Sequence, residues 1–508
     1  MSKNIGIIDL GSNSIRLILM KIGKNGSYKL LDEIKETARI GENMGPERVI
    51  KGPAIDRAVQ TTKLLQKFCR TNRADGVHGV ATAAIRSAVN GGEVLETIMK
   101  ETGVSFRILS EQEEAHYEYL GVVNSLEFND ALLVDIGGGS TELILCRDRK
   151  IVHWASLPIG AVNLTENFLP STVPQPDEVK QLEKYLADQF ATIPWLESAR
   201  GLEIIGVGGT IRNLGRIDRK RTRYSLNLLH NYRIHSERVK EIYHHLQKTT
   251  VEERKAIPGL SKERADIILG GLAEVSKLLD YTGAPGIRIS GTGLREGVFY
   301  EYLFRDWPEP VVDNVTEHSV QNFMDLYQVR RYHAEHVAKL SLSLFDQLRP
   351  LHGYGLWERK ILRIAALLHD VGNVVSYYNH HKHTMYVLLN ARLNGLSHRE
   401  LVLVSLVAAC HGKIDLKFKL QQHSDVLFPQ DGNMVRRLGV LIRMAENLDR
   451  TEAGVVQDVI CTIKEKEVQI DCVTNENADL EIRELYKKVT NFNKVFGIKF
   501  KFPKEETQ

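Results

Sequence analysis

Two stretches of this chain carry residue types suited to gripping phosphate, Asp9-Leu-Gly-Ser-Asn-Ser14 and Asp135-Ile-Gly-Gly-Gly-Ser-Thr-Glu142. Each follows an apolar, strand-like run, Ile5 to Ile8 and Ala131 to Val134, so the glycines fall where a backbone must turn tightly and aim successive N–H groups at an anion. Gly137, Gly138 and Gly139 supply backbone, while Ser12, Asn13, Ser14, Ser140 and Thr141 add side-chain donors. A third glycine turn, Gly206-Val-Gly-Gly-Thr210, offers Gly208, Gly209 and Thr210. A lone glycine triplet reads equally well as a hairpin; three consistent turns favour a polyphosphate site. Asp9 and Asp135 accept hydrogen bonds but donate none when ionised, so beside phosphate they suit Mg²⁺ (or Mn²⁺) or its waters, with Glu142 as a further ligand.

Two carboxylates, Glu142 and Glu113, are candidates to polarise water. Glu113 has a competing structural role, because Ser110-Glu-Gln-Glu113 is also a capping box whose Glu reaches back to the helix N-terminal amide. Glu142 competes with the reading of a solvated strand residue. Arg86, just after a strand, can clamp phosphate bidentately or sit on a helix surface. Arg212, Arg216, Arg219, Lys220, Arg221 and Arg223 follow the third glycine turn directly, and we read them as a basic track leading a long anion to the site, against the commoner solvated face. Aromatic interleaving there is too sparse for nucleic acid.

Farther on, His333, His369-Asp370 and Asp449 fall on or at the ends of amphipathic helices over Tyr332 to Leu348, Ile361 to Val371 and Val435 to Leu448. Four N/O ligands from three helices can hold a divalent metal, with His380, His381, His383 and His411 in reach as outer or substrate groups. Buried structural histidines are the alternative.

The elements that position these residues alternate strand and helix over 1–125: Ile5 to Ile8, Ile15 to Lys21, helix Ile55 to Arg70, Gly76 to Val80, helix Glu93 to Glu101 and Val104 to Leu109. A second α/β block over 126–305 repeats the logic with strands Leu143 to Cys146 and Leu202 to Ile205 and helix Pro176 to Phe190. Two such halves predict a duplicated fold with its site in the cleft between them. After Trp307-Pro-Glu-Pro-Val-Val312 an all-helical domain is expected over 306–508, turning strand-like near Val459 to Ile463 and Val468 to Cys472, with a frayed polar tail at Lys504 to Gln508. Lys plus Arg total 67 against 64 Asp plus Glu, so a charge of +3 argues against a dedicated nucleic-acid binder. Five scattered cysteines without Cys-x-x-Cys predict reduced thiols, and the absence of an export signal or long apolar run predicts a cytoplasmic protein with no membrane contact.

These motifs resemble the exopolyphosphatase and guanosine pentaphosphate phosphohydrolase family of the actin, sugar-kinase and heat-shock ATPase superfamily, whose halves are ribonuclease H-like. Further marks are Ala81-Thr-Ala-Ala-Ile-Arg86, Ser110-Glu-Gln-Glu-Glu-Ala115 and Ser290-Gly-Thr-Gly-Leu-Arg-Glu-Gly297. The resemblance implies that Glu113 activates the attacking water, that Glu142 and Asp135 serve Mg²⁺ and the water, and that the glycine loops and Arg86 hold terminal phosphates. It also implies inorganic polyphosphate or guanosine penta- or tetraphosphate as partner, and a homodimer. The helical region resembles an HD phosphohydrolase domain, with Asn373 where many active HD enzymes have lysine. Three other classes compete. An ATP-dependent kinase needs an adenosine pocket beside Gly206 to Thr210, which Arg212 would fill. A polyphosphate or alarmone sensor would bind without turnover. An HD nucleotidase would depend on His369 and Asp370.

Overall fold

The computed structural model describes residues 2–502; the tail over 504–508 lies outside them. The chain divides into two units, Met1–Tyr224 with Leu228–Val315, and Ser225–Asn227 with Thr316–Gln508. The expected boundary at 125/126 is thus a seam inside the first unit, and the main parting comes after Val315 instead of 305.

In the first unit, β1 (Lys3–Leu10), β2 (Ser14–Ile22), β3 (Tyr28–Thr37), β4 (Gly76–Ala81) and β5 (Phe106–Ile108) form a sheet ordered β3-β2-β1-β4-β5. A second sheet contains β6 (Ala131–Ile136), β7 (Thr141–Arg147), β8 (Lys150–Leu157), β9 (Ile204–Val207), β10 (Arg233–His235) and β11 (Gly286–Ile289), ordered β10-β11-β9-β6-β7-β8. Apart from edge strand β10, the second sheet repeats the first: a three-stranded antiparallel meander whose first strand pairs in parallel with a fourth, and the fourth with a fifth. The duplication expected from the paired glycine loops is a duplication of topology. Edge strands β3 and β8 escaped the sequence reading because both are mostly exposed and lack apolar alternation, β3 being also charge-rich.

Central strands are buried on both faces, which is why they read as unbroken apolar runs. Leu132, Val134, Ile136, Leu143 and Leu145 face the core of the second half; Ile8, Leu10, Ile15 and Leu17 face that of the first. The intervening residues Ile5, Ile7, Ile18, Met20, Leu133, Ile144 and Ile205 meet in one shared core with helices Glu111–Val123 and Leu294–Leu303. These helices pack backbone to backbone: a Cβ on Gly297 would stand 1.9 Å from the Tyr117 carbonyl oxygen.

The second unit builds on helices Arg331–Gln347, Leu356–Leu368, His380–Asn390, His398–Ala409 and Asp431–Leu448. It is mainly helical and not all-helical: the strand-like stretches expected at Val459 to Ile463 and Val468 to Cys472 are β12 (Val456–Ile463) and β13 (Glu467–Thr474), which with β14 (Lys499–Lys501) form a sheet ordered β12-β13-β14. The free edge of β12 is satisfied by helix side chains. His336 and Lys339 donate to the carbonyls of Val456 and Gln457 at 2.8 Å, while Gln347 donates to Val459 and accepts from the Cys461 amide. Among the described residues no helix is long and apolar enough to cross a membrane, and all five cysteines are free.

Because the helix pair has no room at Gly297, Gly297→Leu is expected to lower stability by about 1–3 kcal/mol or more. Chemical denaturation of the full chain should show this as an earlier midpoint of the transition that reports the first unit.

Candidate active site

The two phosphate turns are equivalent hairpin tips. Gly11 N–H donates to the Ser14 carbonyl at 3.2 Å and Gly137 N–H to the Ser140 carbonyl at 3.0 Å. The carbonyls of Ser12, Asn13, Gly137 and Gly138 accept from the amides of Gly41, Arg39, Ala161 and Val162. In a trans peptide the following N–H points the opposite way, so Asn13, Ser14, Gly138 and Gly139 turn their amides from those anchors. The tips face each other, a Cβ on Gly138 lying 3.7 Å from Asn13 Cβ. Hairpin and anion loop, the two readings of these turns, are therefore one geometry. Gly208 and Gly209 open the helix Gly208–Thr222 on the same cleft, adding an N-terminus. Gly208 is obligatory: its φ is +90°, and a Cβ would stand 2.3 Å from Asp135 Oδ1.

Asp9, Glu114, Glu118, Asp135 and Glu142 line this cleft together with Arg16, Arg212, Arg264 and Arg295. Cross-strand register explains part of the set, since Asp9 sits opposite Arg16 and Asp135 opposite Glu142. Glu114 and Glu118 follow at one-turn spacing on one helix face. Burial, then the neighbouring Asp135 and Glu142, raises the Glu118 carboxyl well above its usual range. Burial, then Glu114 and Asp135, does the same to Glu142, whose Oε1 accepts from Ser156 Oγ at 3.2 Å. Burial raises Asp9 as well, against Arg16. Glu114 is pushed up to about 7 by burial, although Arg86 at 2.7 Å pulls the other way.

On the cationic side, burial and then Arg212 and Arg295 bring Arg16 down to about 10, and Arg264 falls to about 10 by burial and then Arg16. Arg295 pairs with Glu33 at 2.8 Å, but its buried Nη1 has no partner. Ser14 Oγ is likewise buried and unpartnered. An anion bonded by Arg295 Nη1 and Ser14 Oγ would satisfy both. Glu118 Oε2 and Asp135 Oδ1 also lack partners; carboxylate oxygens are the ligand type a hard divalent cation takes, and Asp9, Glu118, Asp135 and Glu142 would supply them, although among the described residues no three of these bring ligand oxygens within 4.8 Å of one another.

Several expected site residues lie elsewhere. Glu113 is the capping-box residue: its Oε2 accepts from Ser110 N–H at 2.8 Å and Ser110 Oγ at 2.9 Å, and Arg107 pairs with Oε1 at 2.6 Å. One position along a helix rotates a side chain by about 100°, so Glu113 faces outward while Glu114 faces the cleft. Arg86 does not line the cleft; it donates to Glu114 and the Leu109 carbonyl. Thr141 is buried beside Glu274, and Thr210 packs against Gly271, so neither hydroxyl reaches the phosphate loops. Of the basic track, Arg212 lines the cleft, Arg216, Lys220 and Arg223 are exposed, Arg219 is half-buried, and Arg221 pairs with Glu241 at 3.4 Å. Sequence reasoning gave no role to Glu114, Glu118, Arg16, Arg264 or Arg295, although Glu114 and Arg295 lie inside the marks Ser110-Glu-Gln-Glu-Glu-Ala115 and Ser290-Gly-Thr-Gly-Leu-Arg-Glu-Gly297, and Glu114 and Glu118 form an i, i+4 pair.

In the second unit, His333, His369 and Asp370 come together as expected, and His380 and His411 join Asp370. Asp449 is spent otherwise: Oδ2 accepts from His333 Nδ1 at 2.7 Å and Oδ1 from the Gly454 amide at 2.9 Å. His381 turns to the Lys413 carbonyl.

The raised carboxylates set the sign of a pH effect. Groups whose folded pKa is raised give stability that is present at low pH and is lost as pH rises through the folded value. Divalent cation offsets that loss, so the gain in melting temperature on adding Mg²⁺ should be larger at pH 8.5 than at pH 6. Equal gains in a thermal-shift series would exclude these carboxylates as the ligands.

Comparison with known proteins follows the same geometry. A family model described as the Ppx/GppA phosphatase family matches residues 20–306, and one described as Ppx/GppA phosphatase, domain III, matches 315–488. A guanosine-5'-triphosphate,3'-diphosphate pyrophosphatase of Aeromonas hydrophila is 26% identical over 411 residues, 78% of this chain and 78% of that protein. The crystal structure of the Aquifex aeolicus Ppx/GppA family member is 29% identical with a TM-score of 0.53, covering 61% of this chain and 100% of that one. An exopolyphosphatase structure from Cytophaga hutchinsonii is 25% identical with a TM-score of 0.57, at 61% and 100% coverage. With its paired phosphate hairpins and buried carboxylates, the chain belongs to the Ppx/GppA phosphatase family, hydrolases that act on phosphoanhydride bonds.

Proposed function

We propose that the chain is an exopolyphosphatase that hydrolyses terminal phosphates processively from inorganic polyphosphate in the cytoplasm, with Mg²⁺ (or Mn²⁺) held by Asp9, Glu118, Asp135 and Glu142. The observation that carries this reading is that Glu114, two phosphate hairpins and buried arginines line one cleft. A carboxylate pushed up to about 7 is a base matched to neutral pH.

In the mechanism, the hairpin amides, Ser14 Oγ and Arg295 hold the terminal phosphoryl group. Glu114 takes a proton from water as the water oxygen bonds to phosphorus and the bridging P–O bond breaks, leaving inorganic phosphate and a chain one unit shorter. Arg16, Arg212 and Arg295 offset charge on the transferring group. The divalent cation, when bound, supplies further charge neutralisation on the phosphoryl oxygens. Arg86 acts through Glu114 and is a positioning residue. Arg212, Arg216 and Lys220, spaced four apart on the helix Gly208–Thr222, and Arg223 at its C-cap form a track for the rest of the polyanion.

Guanosine pentaphosphate is the second substrate reading, supported by the name of the Aeromonas relative; it too ends in a phosphoanhydride. A sensor without turnover would not need Glu114 kept beside the phosphate loops.

The test is phosphate release from long-chain polyphosphate and from guanosine pentaphosphate with Mg²⁺. Glu114→Gln should lose about 10²- to 10⁴-fold in rate at unchanged melting temperature. Glu113→Ala should keep the rate and lose about 1 kcal/mol of stability with its half of the capping box. The reverse pattern would return the base to Glu113, and no turnover in wild type would favour the sensor. Since the base acts deprotonated, kcat/KM should climb as pH rises through about 7, and Glu114→Gln should lose that limb.

A further inference from the structure

We propose that Glu33, brought to the cleft side of the first sheet by a β-bulge, is a positioning residue that fixes the Arg295 guanidinium for the terminal phosphoryl group. This role rests on the reading of the cleft as a terminal-phosphate site. Across β2 and β3, Leu19 pairs with Asp32 and Met20 with Leu30, so Leu31 has no partner and the register shifts by one residue. Partners on neighbouring strands share a face of the sheet. Before the bulge that face carries Tyr28, whose ring lies 5.6 Å from that of Phe299. Beyond it, Glu33 sits opposite Ile18 and Lys35 opposite Arg16, in rows that continue to Ile7 and Asp9 on β1. Without the extra residue Glu33 would fall on the other face, where Ile34 packs into the first half's own core. Re-aiming a side chain is what bulges beside active sites do.

The side chain it meets is buried. Arg295, second residue of the helix Leu294–Leu303, is 5% exposed and, among the described residues, is the one cleft arginine held in an ion pair. Its Nη2 donates to Glu33 Oε1 at 2.8 Å, while its buried Nη1 has no partner. A guanidinium is planar, so a bond at Nη2 sets the direction of the N–H groups at Nη1. Ser14 Oγ, buried and unpartnered as well, offers the same anion a hydroxyl. Glu33 does not line the cleft itself and acts only through Arg295. Burial resists ionisation of Glu33, but Arg295, Arg212 and Arg16 outweigh it and hold the carboxyl below its usual range, so it stays an acceptor at neutral pH. Its side chain is 44% exposed, and an ion pair with one exposed partner adds little to stability. What the pair supplies is direction, the tight placement of a donor that phosphoryl transfer requires.

The experiment measures binding of inorganic phosphate by isothermal titration calorimetry, together with turnover of long-chain polyphosphate and guanosine pentaphosphate, on full-length proteins. Glu33→Ala should weaken phosphate binding and lower kcat, each by about 10- to 10²-fold, at a melting temperature matching wild type. Glu33→Met, which keeps the length of the side chain and drops its acceptor, repeats the test without a gap in the strand. Glu33→Gln, whose amide oxygen still accepts from Nη2, should regain most of both. Once Arg295→Lys is present, adding Glu33→Ala should have no further effect, because no guanidinium remains to orient. Wild-type behaviour of Glu33→Ala and Glu33→Met, losses that multiply when both sites are changed, or tighter phosphate binding without Glu33 would each overturn the proposal. Wild type that binds phosphate with this coupling and turns over neither substrate would support the positioning role and sink the two substrate readings. Wild type that binds no phosphate would overturn both.

Discussion

A carboxylate taken out of water must be protonated or paired, and six carboxylates share one cleft in the first unit. Much of the surrounding structure answers that demand. Four arginines reach the cleft from four different stretches of chain, three of them held by burial and then by a neighbouring arginine to a weaker grip on the proton. Their mutual repulsion and the repulsion among the carboxylates would be relieved by one event, the arrival of a cation and a polyanion together. The unliganded site is charged for occupation, and its stability and its affinity are two measures of one electrostatic debt.

The sequence made the scaffold largely visible. Strands buried on both faces announce themselves as apolar runs, and the glycine turns after Asp9 and Asp135 identified the hairpin tips, because tight turns constrain residue type locally. Edge strands β3 and β8 were hidden by their solvated side chains. At the site, local signals carried less far. Ser110 and Glu113 satisfied a capping box, and the structure uses them as one; the neighbouring Glu114 has no motif of its own and is distinguished only by helix phase relative to a cleft that sequence does not display. Arg16, Arg264 and Arg295 are remote in sequence, and only the closing of two duplicated sheets gathers them. In the second unit, the histidines stood out by type, but which ring nitrogens are spoken for is decided by backbone carbonyls three residues back.

The shared core beneath the cleft joins what duplication kept separate. Helices Glu111–Val123 and Leu294–Leu303 belong one to each half, and their contact leaves no side chain between backbones at Gly297. Relative motion of the halves is thereby confined to pivoting about a contact that cannot be compressed.

Duplication also left the two hairpins superimposable in pattern and unlike in charge. The position opposite Asp9 is Arg16, while the position opposite Asp135 is Glu142. A pocket built from a repeated motif would, if faithful, have offered a ligand two indistinguishable ways in. With a cation on one lip and an anion on the other, the site has a front and a back, so that, on the proposed polyphosphate reading, a linear molecule with identical repeating units would take from the protein a direction of travel that it does not possess itself.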